Sequence, residues 1–456
     1  MSSKQNTTFA HVSDAHIGHR QYNVKKRLDD MQLSFLSAAS EAADQGVDFA
    51  VFSGDLFHNK DVDALTLSDA EKCLDRFQEE DIPVAAIQGN HDDNLYKEDL
   101  NWLEYLHQRG KLILLEANFD DGETFEPHEP DSTERGTSAG FVDFGGIRVF
   151  GVQYIGRGLE NRLGDVVEGI RAANERYGEP EHTVLLGHFG IEGQVPKMSG
   201  LEYSKLEPLR DVVDYFGVGH LHKQYSIADW VYSPGSLEVH NIREDSNDLG
   251  YYTVEVNDDG LDPEHHLAKR RPFFTVEFSV DGYEDPESLE GGLEDRVEEL
   301  VPKLREKQDR EIYRGGGDRR QPVVYLRLTG LLEFSRSRLD VDTLQSIVEE
   351  AMDPVHIQVR DTTETKDAIS ILEEIGEGRA EVIGEHGQID RDKLEVKVFE
   401  QLAESHPEYG EESSEVAGLL RSVKSDILSE EPVDAVADVI QGERRELFAD
   451  AGGEGE

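Results

Sequence analysis

The sequence predicts an α/β protein with a large layered domain, a small α/β domain and a C-terminal helical tail. Short apolar runs alternate with amphipathic stretches up to about residue 270, a pattern typical of layered α/β architecture. A shorter alternation of the same kind follows, and the chain then becomes acidic with two isolated amphipathic stretches. These changes predict three regions, namely 1–270, 271–360 and 361–456.

Six apolar runs of the first region have the length and composition of strands. They are Thr8–Val12, Val47–Phe52, Val84–Ile87, Ile147–Val152, Thr183–Leu186 and Tyr215–Val218. Between the first two runs, Val24–Ala43 repeats apolar residues at helical spacing, which predicts a helix that packs on the sheet. The acidic interval Phe119–Gly140 contains two prolines and predicts a long surface loop.

The second region is predicted to be a small α/β domain with a flexible, glycine-rich loop from Arg314 to Arg320. Its predicted strands are Phe273–Val280, Pro322–Leu328 and Val355–Val359, and its predicted helices are Leu289–Glu306 and Val341–Met352. In the tail, the amphipathic stretches Leu394–Ala403 and Val416–Leu428 form a helix–loop–helix pattern. This pattern fits either docking onto the helices of a partner or local packing of a solvated tail.

The chain has a formal net charge of −51, so it is soluble but repels itself. Apolar periodic segments argue against disorder. We therefore interpret the charge as adaptation to a high-salt cytoplasm, since ~1 M salt shortens the Debye length to about 3 Å. One cysteine, Cys73, fits a reducing compartment. No apolar run reaches the ~20 residues that a membrane span needs, so we expect no membrane association.

Five short motifs occur in order along the first region. They are Asp14-Ala15-His16, Gly54-Asp55-Leu56-Phe57-His58, Gly89-Asn90-His91-Asp92, Gly187-His188 and Gly219-His220-Leu221-His222. Each motif alone occurs often by chance, but each of these follows a strand-like run. Their polar residues are thus expected at the carboxyl ends of strands, where functional crevices of layered α/β folds lie.

The residue types in these motifs predict a site for two divalent cations. Carboxylates, imidazoles and an amide oxygen are a suitable ligand set for borderline ions such as manganese. Asp55 is the natural bridge, because its two carboxylate oxygens can contact both ions. Two ions about 3.5–4 Å apart can polarise a phosphoryl group and ionise a shared water.

The five motifs resemble those of the calcineurin-like metallophosphoesterase superfamily, whose fold is a β-sandwich flanked by helices. The resemblance implies that Asp14, His16, Asp55 and His222 hold one metal ion. It further implies that Asp55, Asn90, His188 and His220 hold the second. His91, paired with Asp92, would protonate the leaving oxygen, a role that suits an oriented imidazole.

Three further features resemble the archaeal double-strand-break repair nucleases of the meiotic recombination eleven family. These features are the stretch His16–Tyr22 with the basic Lys25–Arg27, the motif ending at His58, and Gly219–Gln224 with the following Ser233–Ser236. Protein phosphatases of the superfamily have G-D-x-V-D-R-G at the second motif instead. The resemblance extends over residues 7–245 and is weak beyond them.

This resemblance implies a manganese-dependent 3′-to-5′ exonuclease and single-strand endonuclease, with two Mn²⁺ per subunit or Mg²⁺ in their place. His58 would contact the scissile phosphate or the rotating nucleotide. Residues 271–360 would form a DNA-binding capping domain, and Leu394–Leu428 would dock on the coiled-coil base of an SMC-like ABC ATPase. A homodimer would form through Ala64–Gln78, with Leu65, Leu67, Leu74 and Phe77, and through Leu100–His107, with Trp102, Leu103 and Leu106.

The acidic charge departs from this family, whose members hold DNA through basic surfaces. The chain has only small basic clusters, which are Arg20, Lys25–Arg27, Lys269–Arg271 and the arginines at 314, 319 and 320. These clusters could equally form local ion pairs. Two alternatives to a nucleoid-associated nuclease therefore remain: a phosphodiesterase of small nucleotides, and a mainly structural subunit that bridges DNA ends.

Overall fold

The computed structural model describes most of the chain up to residue 365 and one later helix. The described residues are 7–93, 100–120, 122–129, 138–195, 200–257, 260–310, 320–365, 396, 398–400, 403 and 413–428. The chain divides into two compact units. Unit 1 comprises Met1–Val276, Glu294–Leu326 and Gln345–Val359, and unit 2 comprises Glu277–Leu293, Arg327–Leu344 and Arg360–Glu456.

Unit 1 contains two six-stranded mixed sheets. The first has the order β12-β11-β1-β2-β3-β4, and the second has the order β5-β6-β7-β8-β10-β9. The strands of the first are β1 (Thr7–Val12), β2 (Phe49–Phe52), β3 (Val84–Ala86), β4 (Ile113–Leu114), β11 (Gly250–Asn257) and β12 (Gly260–Leu267). Those of the second are β5 (Phe141–Phe144), β6 (Ile147–Gly151), β7 (His182–His188), β8 (Tyr215–Gly219), β9 (Gln224–Ile227) and β10 (Val231–Pro234).

The centre of each sheet is parallel. Strands β1 to β4 run parallel to one another, as do β6, β7, β8 and β10, while antiparallel neighbours flank each set. Parallel strands buried on both faces need continuous apolar sequences, which is why these strands appear as unbroken apolar runs. Parallel neighbours also bring their carboxyl ends to one edge of the sheet, and this edge positions the polar motifs.

Successive side chains of β1 point into different cores, because side chains alternate between the two faces of a strand. Phe9 packs with Phe49 and Tyr215 in the core between the two sheets. Ala10 and Val12 belong to the core beneath the helices of the first sheet. A third core lies under the helix of the second sheet. Unit 1 is thus a β-sandwich flanked by helices, which confirms the predicted fold class.

Seven α-helices are described. They are α1 (Lys25–Asp44), α2 (Ala64–Gln78), α3 (Trp102–Gln108), α4 (Leu159–Tyr177), α5 (Pro286–Arg310), α6 (Val341–Met352) and α7 (Ser413–Leu428). Each of the six predicted strands and the predicted first helix coincides with an observed element. Helix α4 and strands β11 and β12 were not predicted. The surface-loop prediction for Phe119–Gly140 is wrong at Phe125, which is buried against Phe150.

Strands β13 (Phe273–Ser279), β14 (Val323–Thr329) and β16 (His356–Asp361) form a three-stranded sheet, and β15 (Leu331–Leu332) pairs with β17 (Glu364–Thr365). Strands β13, β14 and β16, with α5 and α6, match the elements predicted for 271–360, whereas β15 and β17 were not predicted. The boundaries of the three regions stay predictions. The segment 314–319 and most of Leu394–Ala403 lie outside the described residues, whereas Val416–Leu428 lies in α7.

The helices expected at a dimer interface bury most of their apolar residues in the core of their own chain. Leu74, Phe77, Leu103 and Leu106 have at most 1% exposure. Leu65 is half exposed. Ordinary packing therefore accounts for these four side chains, and a dimer surface on these helices would have to use others. None of the helices that the structure describes is long and apolar enough to cross a membrane.

A buried carboxylate, Asp30 on α1, joins three arginines of unit 1. Arg27 donates to Asp30 at 2.7 Å, Arg271 makes a bidentate pair with it, and Arg320 donates at 2.9 Å. Arg27 is fully buried and also donates to the carbonyl of Val239. Buried guanidinium groups need such partners, since an unpaired buried charge is strongly destabilising.

We expect Asp30→Asn to lower the free energy of unfolding by about 3–5 kcal/mol, because it removes the negative charge that the buried Arg27 and Arg271 guanidinium groups share. The measurement is urea denaturation in concentrated potassium chloride. The exposed neighbour on the same helix supplies the control, Asp29→Asn. Equal stability of the two variants would contradict a structural role for the Asp30 network.

Candidate metal centre

The predicted site residues converge at the carboxyl ends of β1, β2, β3, β7 and β8. Five of the seven predicted ligands have a positive φ: Asp14 (51°), His16 (45°), Asp55 (59°), His220 (102°) and His222 (47°). Residues other than glycine adopt this region at an energetic cost, and such strain is concentrated at functional sites. The loops after the strands thus turn sharply, which directs these side chains toward one another.

Two motif glycines are required by close packing around the site. Gly54 has a φ of +93°, and a Cβ atom there would overlap the Nδ1 atom of His188. A Cβ atom at Gly89 would overlap the carboxylate of Asp55. The glycine of each motif therefore makes room for a ligand that another motif supplies.

Asp14, His16 and His222 form the first half of the site. The Nε2 atoms of His16 and His222 lie 2.9 Å apart. Asp14 Oδ1 lies 3.7 Å from Nε2 of His222, and its carboxylate accepts the backbone N–H of His220 and the hydroxyl of Ser13. Asp14 and His16 are almost fully buried.

Asp55, Asn90, His188 and His220 form the second half. Asn90 Oδ1 lies 3.2 Å from Nε2 of His188 and 2.9 Å from Nδ1 of His220. Asp55 Oδ2 lies 3.1 Å from Nε2 of His188 and 3.6 Å from Nε2 of His16. The same carboxylate oxygen therefore faces both halves, and all seven predicted ligands lie in one cluster.

Asp92 and His91 have different surroundings. The Asp92 carboxylate accepts backbone N–H bonds from Asp55, Leu56, Phe57 and Gly89, so it fixes the loop that carries Asp55. The His91 ring donates from Nδ1 to the carbonyl of His58 at 2.6 Å. Its orientation thus comes from the backbone of His58, whereas the sequence interpretation paired it with Asp92.

The His58 ring lies beside the first half of the site. Its Nδ1 atom is 3.4 Å from Nδ1 of His16. The ring stacks on His19, with centroids 3.8 Å apart, and more distantly on His91, with centroids 5.3 Å apart. His58 is half-buried, so it lies at the open side of the cluster.

Burial holds the imidazoles of His16, His58 and His220 neutral by lowering their pKa values. It lowers the pKa of His16 well below the ordinary value and those of His58 and His220 to about 4, and neighbouring histidines add to the effect. Burial alone would also lower the pKa of His188, but the Asp55 carboxylate beside it raises that pKa to about 9. Burial, followed by the charge of Asp55, raises the pKa of Asp92 to about 6.

The donor set of the cluster fits divalent cations. Neutral imidazoles and carboxylates are the protonation states that bind such ions. Asp14 with His16 and Asp55, and Asp55 with His188 and His220, each bring their ligand atoms within 4.8 Å of one another. A cation at the second group would replace the proton that His188 shares with Asp55.

Three residues near the site were not predicted from the sequence: His19, His240 and Glu244. Glu244 Oε1 lies 3.3 Å from Nδ1 of His222, and its Oε2 accepts the backbone N–H of His240 at 2.8 Å. In the sequence, His19 follows the first motif and His240 follows the last, but neither has a spacing that marks it as a site residue. The only sequence signal was the presence of additional histidines near motif residues.

We expect Glu244→Gln to weaken divalent-cation binding about 10- to 100-fold, because a carboxylate behind a ligating imidazole fixes its orientation and increases its basicity. Titration of the purified chain with Mn²⁺ measures this effect. The exposed Glu264 on β12 supplies the control, Glu264→Gln. Unchanged affinity in Glu244→Gln would show that His222 does not depend on this contact for binding.

The part of the sequence that carries this site is similar to a known protein family. Residues 7–224 match the model of the calcineurin-like phosphoesterase family. A protein of Archaeoglobus fulgidus named DNA double-strand break repair protein Mre11 is 28% identical over 302 residues, which cover 64% of this chain and 65% of that protein. Proteins of the same name from Sulfolobus acidocaldarius and Haloferax volcanii are 21% and 25% identical over 337 and 302 residues.

The alignment with the Sulfolobus protein covers 72% of this chain and 76% of that protein, and the alignment with the Haloferax protein covers 64% and 60%. Less than two thirds of the Archaeoglobus and Haloferax proteins is therefore matched. The family model, however, spans all five motifs and both halves of the cluster. Residues 7–224 thus have the sequence motifs and the clustered His/Asp side chains typical of the calcineurin-like phosphoesterase family.

Proposed function

We propose that this chain is a manganese-dependent DNA nuclease that processes the ends of double-strand breaks. Its activities would be 3′-to-5′ exonuclease on duplex DNA and endonuclease on single strands. The observation that carries the proposal is the position of Asp55, whose Oδ2 faces His16 at 3.6 Å and His188 at 3.1 Å. A carboxylate between two ligand clusters suits a two-metal phosphodiesterase.

In this proposal, one cation is held by Asp14, His16, Asp55 and His222, and the other by Asp55, Asn90, His188 and His220. The pair of cations, Mn²⁺ or in its place Mg²⁺, would polarise the phosphoryl group and ionise the attacking water. The protein's own contribution is to hold its ligands rigidly. The Asp92 carboxylate fixes the loops that carry Asp55 and Asn90, because it accepts hydrogen bonds from four of their backbone N–H groups.

His91 would act as the general acid. Its Nδ1–H donates to the carbonyl of His58, so Nε2 is the atom left to carry a proton to the leaving oxygen. His58 would contact the scissile phosphate or the nucleotide that rotates into the site. Its half-buried ring, held between His19 and His91, suits contact with a substrate that enters from solvent.

A nucleic-acid substrate is supported by the relatives named as DNA repair proteins and by a pocket beside the second half of the site. This pocket, of about 370 Å³, is lined by Tyr154, Phe189, Leu201 and His220 among others. The Tyr154 ring is 38% exposed and lies 6.0 Å from the His220 ring. An exposed aromatic ring beside a phosphodiesterase site is suited to stacking on a base.

The basic clusters contribute less to DNA binding than their sequence suggests. Arg27 and Arg271 are buried in ion pairs with Asp30, and Arg320 donates to the same carboxylate. Counterion release adds little to affinity in concentrated salt. We propose that hydrogen bonds, metal–phosphate contact and a partner supply the remainder of the affinity in a high-salt cytoplasm.

The proposed partner is an SMC-like ABC ATPase whose coiled-coil base docks near Leu394–Leu428. Helix α7 supports this assignment, since it is amphipathic and leaves Leu420 39% exposed. We also propose a homodimer and a DNA-binding capping role for 271–360. Such a protein would be associated with the nucleoid.

The decisive experiment incubates end-labelled linear duplex DNA with the purified chain in ~2–3 M potassium chloride with Mn²⁺ or Mg²⁺. We expect shortening from 3′ ends with Mn²⁺, reduced at least ~100-fold by His91→Ala because the general acid is lost. The Glu264→Gln protein, with its substitution at an exposed residue, is the control for effects of preparing a variant.

Bis-p-nitrophenyl phosphate serves as a small diester in the same assay. Its turnover with DNA left intact, also after addition of the ATPase, would favour a small-substrate phosphodiesterase. Repair supported in cells by His91→Ala would favour a mainly structural subunit that bridges DNA ends.

We expect Tyr154→Ala to weaken binding of a single-stranded oligonucleotide about 5- to 100-fold, since each stacked base contributes ~1–3 kcal/mol. Fluorescence anisotropy measures the dissociation constant, with Mn²⁺ affinity determined in parallel and expected to be unchanged. Tyr177 is equally exposed at 38% and provides the control, Tyr177→Ala. Equal DNA affinity of the two variants would exclude stacking on Tyr154.

A further inference from the structure

His240 lies against the first half of the metal centre, in the segment that follows β10. Its ring centroid is 4.6 Å from that of His16 and 4.8 Å from that of His222, and those two rings are themselves 4.8 Å apart. The three rings meet at interplanar angles of 62°, 54° and 68°. The three centroids thus form a nearly equilateral triangle.

The nitrogen atoms of these rings also converge. One ring nitrogen from each of His16, His222 and His240 lies within 4.8 Å of the other two. Nδ1 of His240 lies 2.9 Å from Nδ1 of His19, whereas Nε2 is buried and has no hydrogen-bond partner among the residues that the structure describes. Buried polar atoms are nearly always paired, so this nitrogen calls for an explanation.

Three imidazoles on one ion would have a similar spacing. A nitrogen about 2.1 Å from a cation sets its ring centroid roughly 3.2 Å from that cation, so adjacent centroids lie about 4.5 to 5.2 Å apart. The observed values of 4.6 to 4.8 Å fall in this range.

A second histidine triad, made of His19, His58 and His240, does not have the ring orientation that binding to one ion requires. These rings are nearly parallel, with interplanar angles of 18°, 14° and 6°. A nitrogen lone pair lies in the plane of its ring, so stacked rings do not direct their lone pairs to a common point. The stack instead supports the ring of His240 from one side.

We propose that His240 supplies, through Nε2, a third imidazole ligand to the cation held by Asp14, His16, Asp55 and His222. This inference rests on the proposed two-metal function and specifies the ligand set of its first ion. His19 and Glu244 are the positioning residues. In the proposed tautomer, Nδ1 of His240 carries the proton and donates to Nδ1 of His19, which leaves Nε2 as the lone-pair nitrogen. Glu244 accepts the backbone N–H of His240.

The added nitrogen makes the two sites unequal. The first would have three imidazoles and two carboxylates, whereas the second has two imidazoles, one carboxylate and one amide oxygen. Nitrogen ligands favour the later divalent ions of the first transition row over manganese and magnesium. The first site should therefore bind Co²⁺ or Zn²⁺ more tightly than the second, with a smaller difference for Mn²⁺.

Titration of the metal-free full-length chain with Co²⁺ and Mn²⁺, followed by calorimetry, tests this ligand. We expect His240→Ala to weaken the tighter Co²⁺ site at least tenfold, to weaken Mn²⁺ binding less and to leave the second site unchanged. His182 lies at the opposite end of β7 from His188 and provides the control, His182→Ala. Two Co²⁺ affinities equal to those of the control would overturn the proposal.

X-ray absorption of the unaltered chain with one equivalent of Co²⁺ provides a test that does not depend on the folding of a variant. Three coordinated imidazoles support the proposal, and two overturn it. DNA cleavage by the unaltered chain separates this inference from the proposed function. If DNA is cleaved while His240→Ala binds Co²⁺ normally, only the ligand assignment fails. If Co²⁺ is bound by three imidazoles while DNA stays intact, only the nuclease proposal fails.

Discussion

The burial of two carboxylates, Asp14 and Asp55, among histidines is the constraint on which the rest of this structure depends. Like charges in a buried site repel each other, and burial itself disfavours the ionised form. The protein offsets this with donors: Asp14 accepts from Ser13 and His220, and Asp55 accepts from His91 and faces His188. Bound cations would complete the same compensation, because they would bring positive charge to the two carboxylates.

The sandwich makes this arrangement possible. Asp14 and Asp55 come from the first sheet, and His188 and His220 from the second, so the ligands meet only because the two sheets pack face to face. Positive φ values at five ligands show that the loops are held in a strained form. The packed core and the four N–H bonds to Asp92 stabilise that form. Precise ligand positions are thus a property of the whole domain.

The predicted ligands in the first half of the site are surrounded by side chains that contact them and fix their positions. His19 and His240 add a stack and a buried nitrogen beside ligands that the family model already spans. Glu244 contacts both His222 and the backbone of His240, so one carboxylate connects a predicted ligand with the histidine proposed as a further one. The Asp30 network likewise uses three arginines that the sequence presents as basic clusters.

The sequence by itself determined the strands that carry the motifs and which seven motif residues come together beyond them, because apolar runs and glycine-flanked polar residues are local patterns. It did not determine Phe125 as a core residue, the contact of His91 with the His58 carbonyl, or the place of His240. Those depend on contacts between residues far apart in the chain. His240, for example, contacts His19 across 221 positions of the sequence. Only the packing of one sheet on the other brings such residues together, and no local sequence pattern predicts their contact.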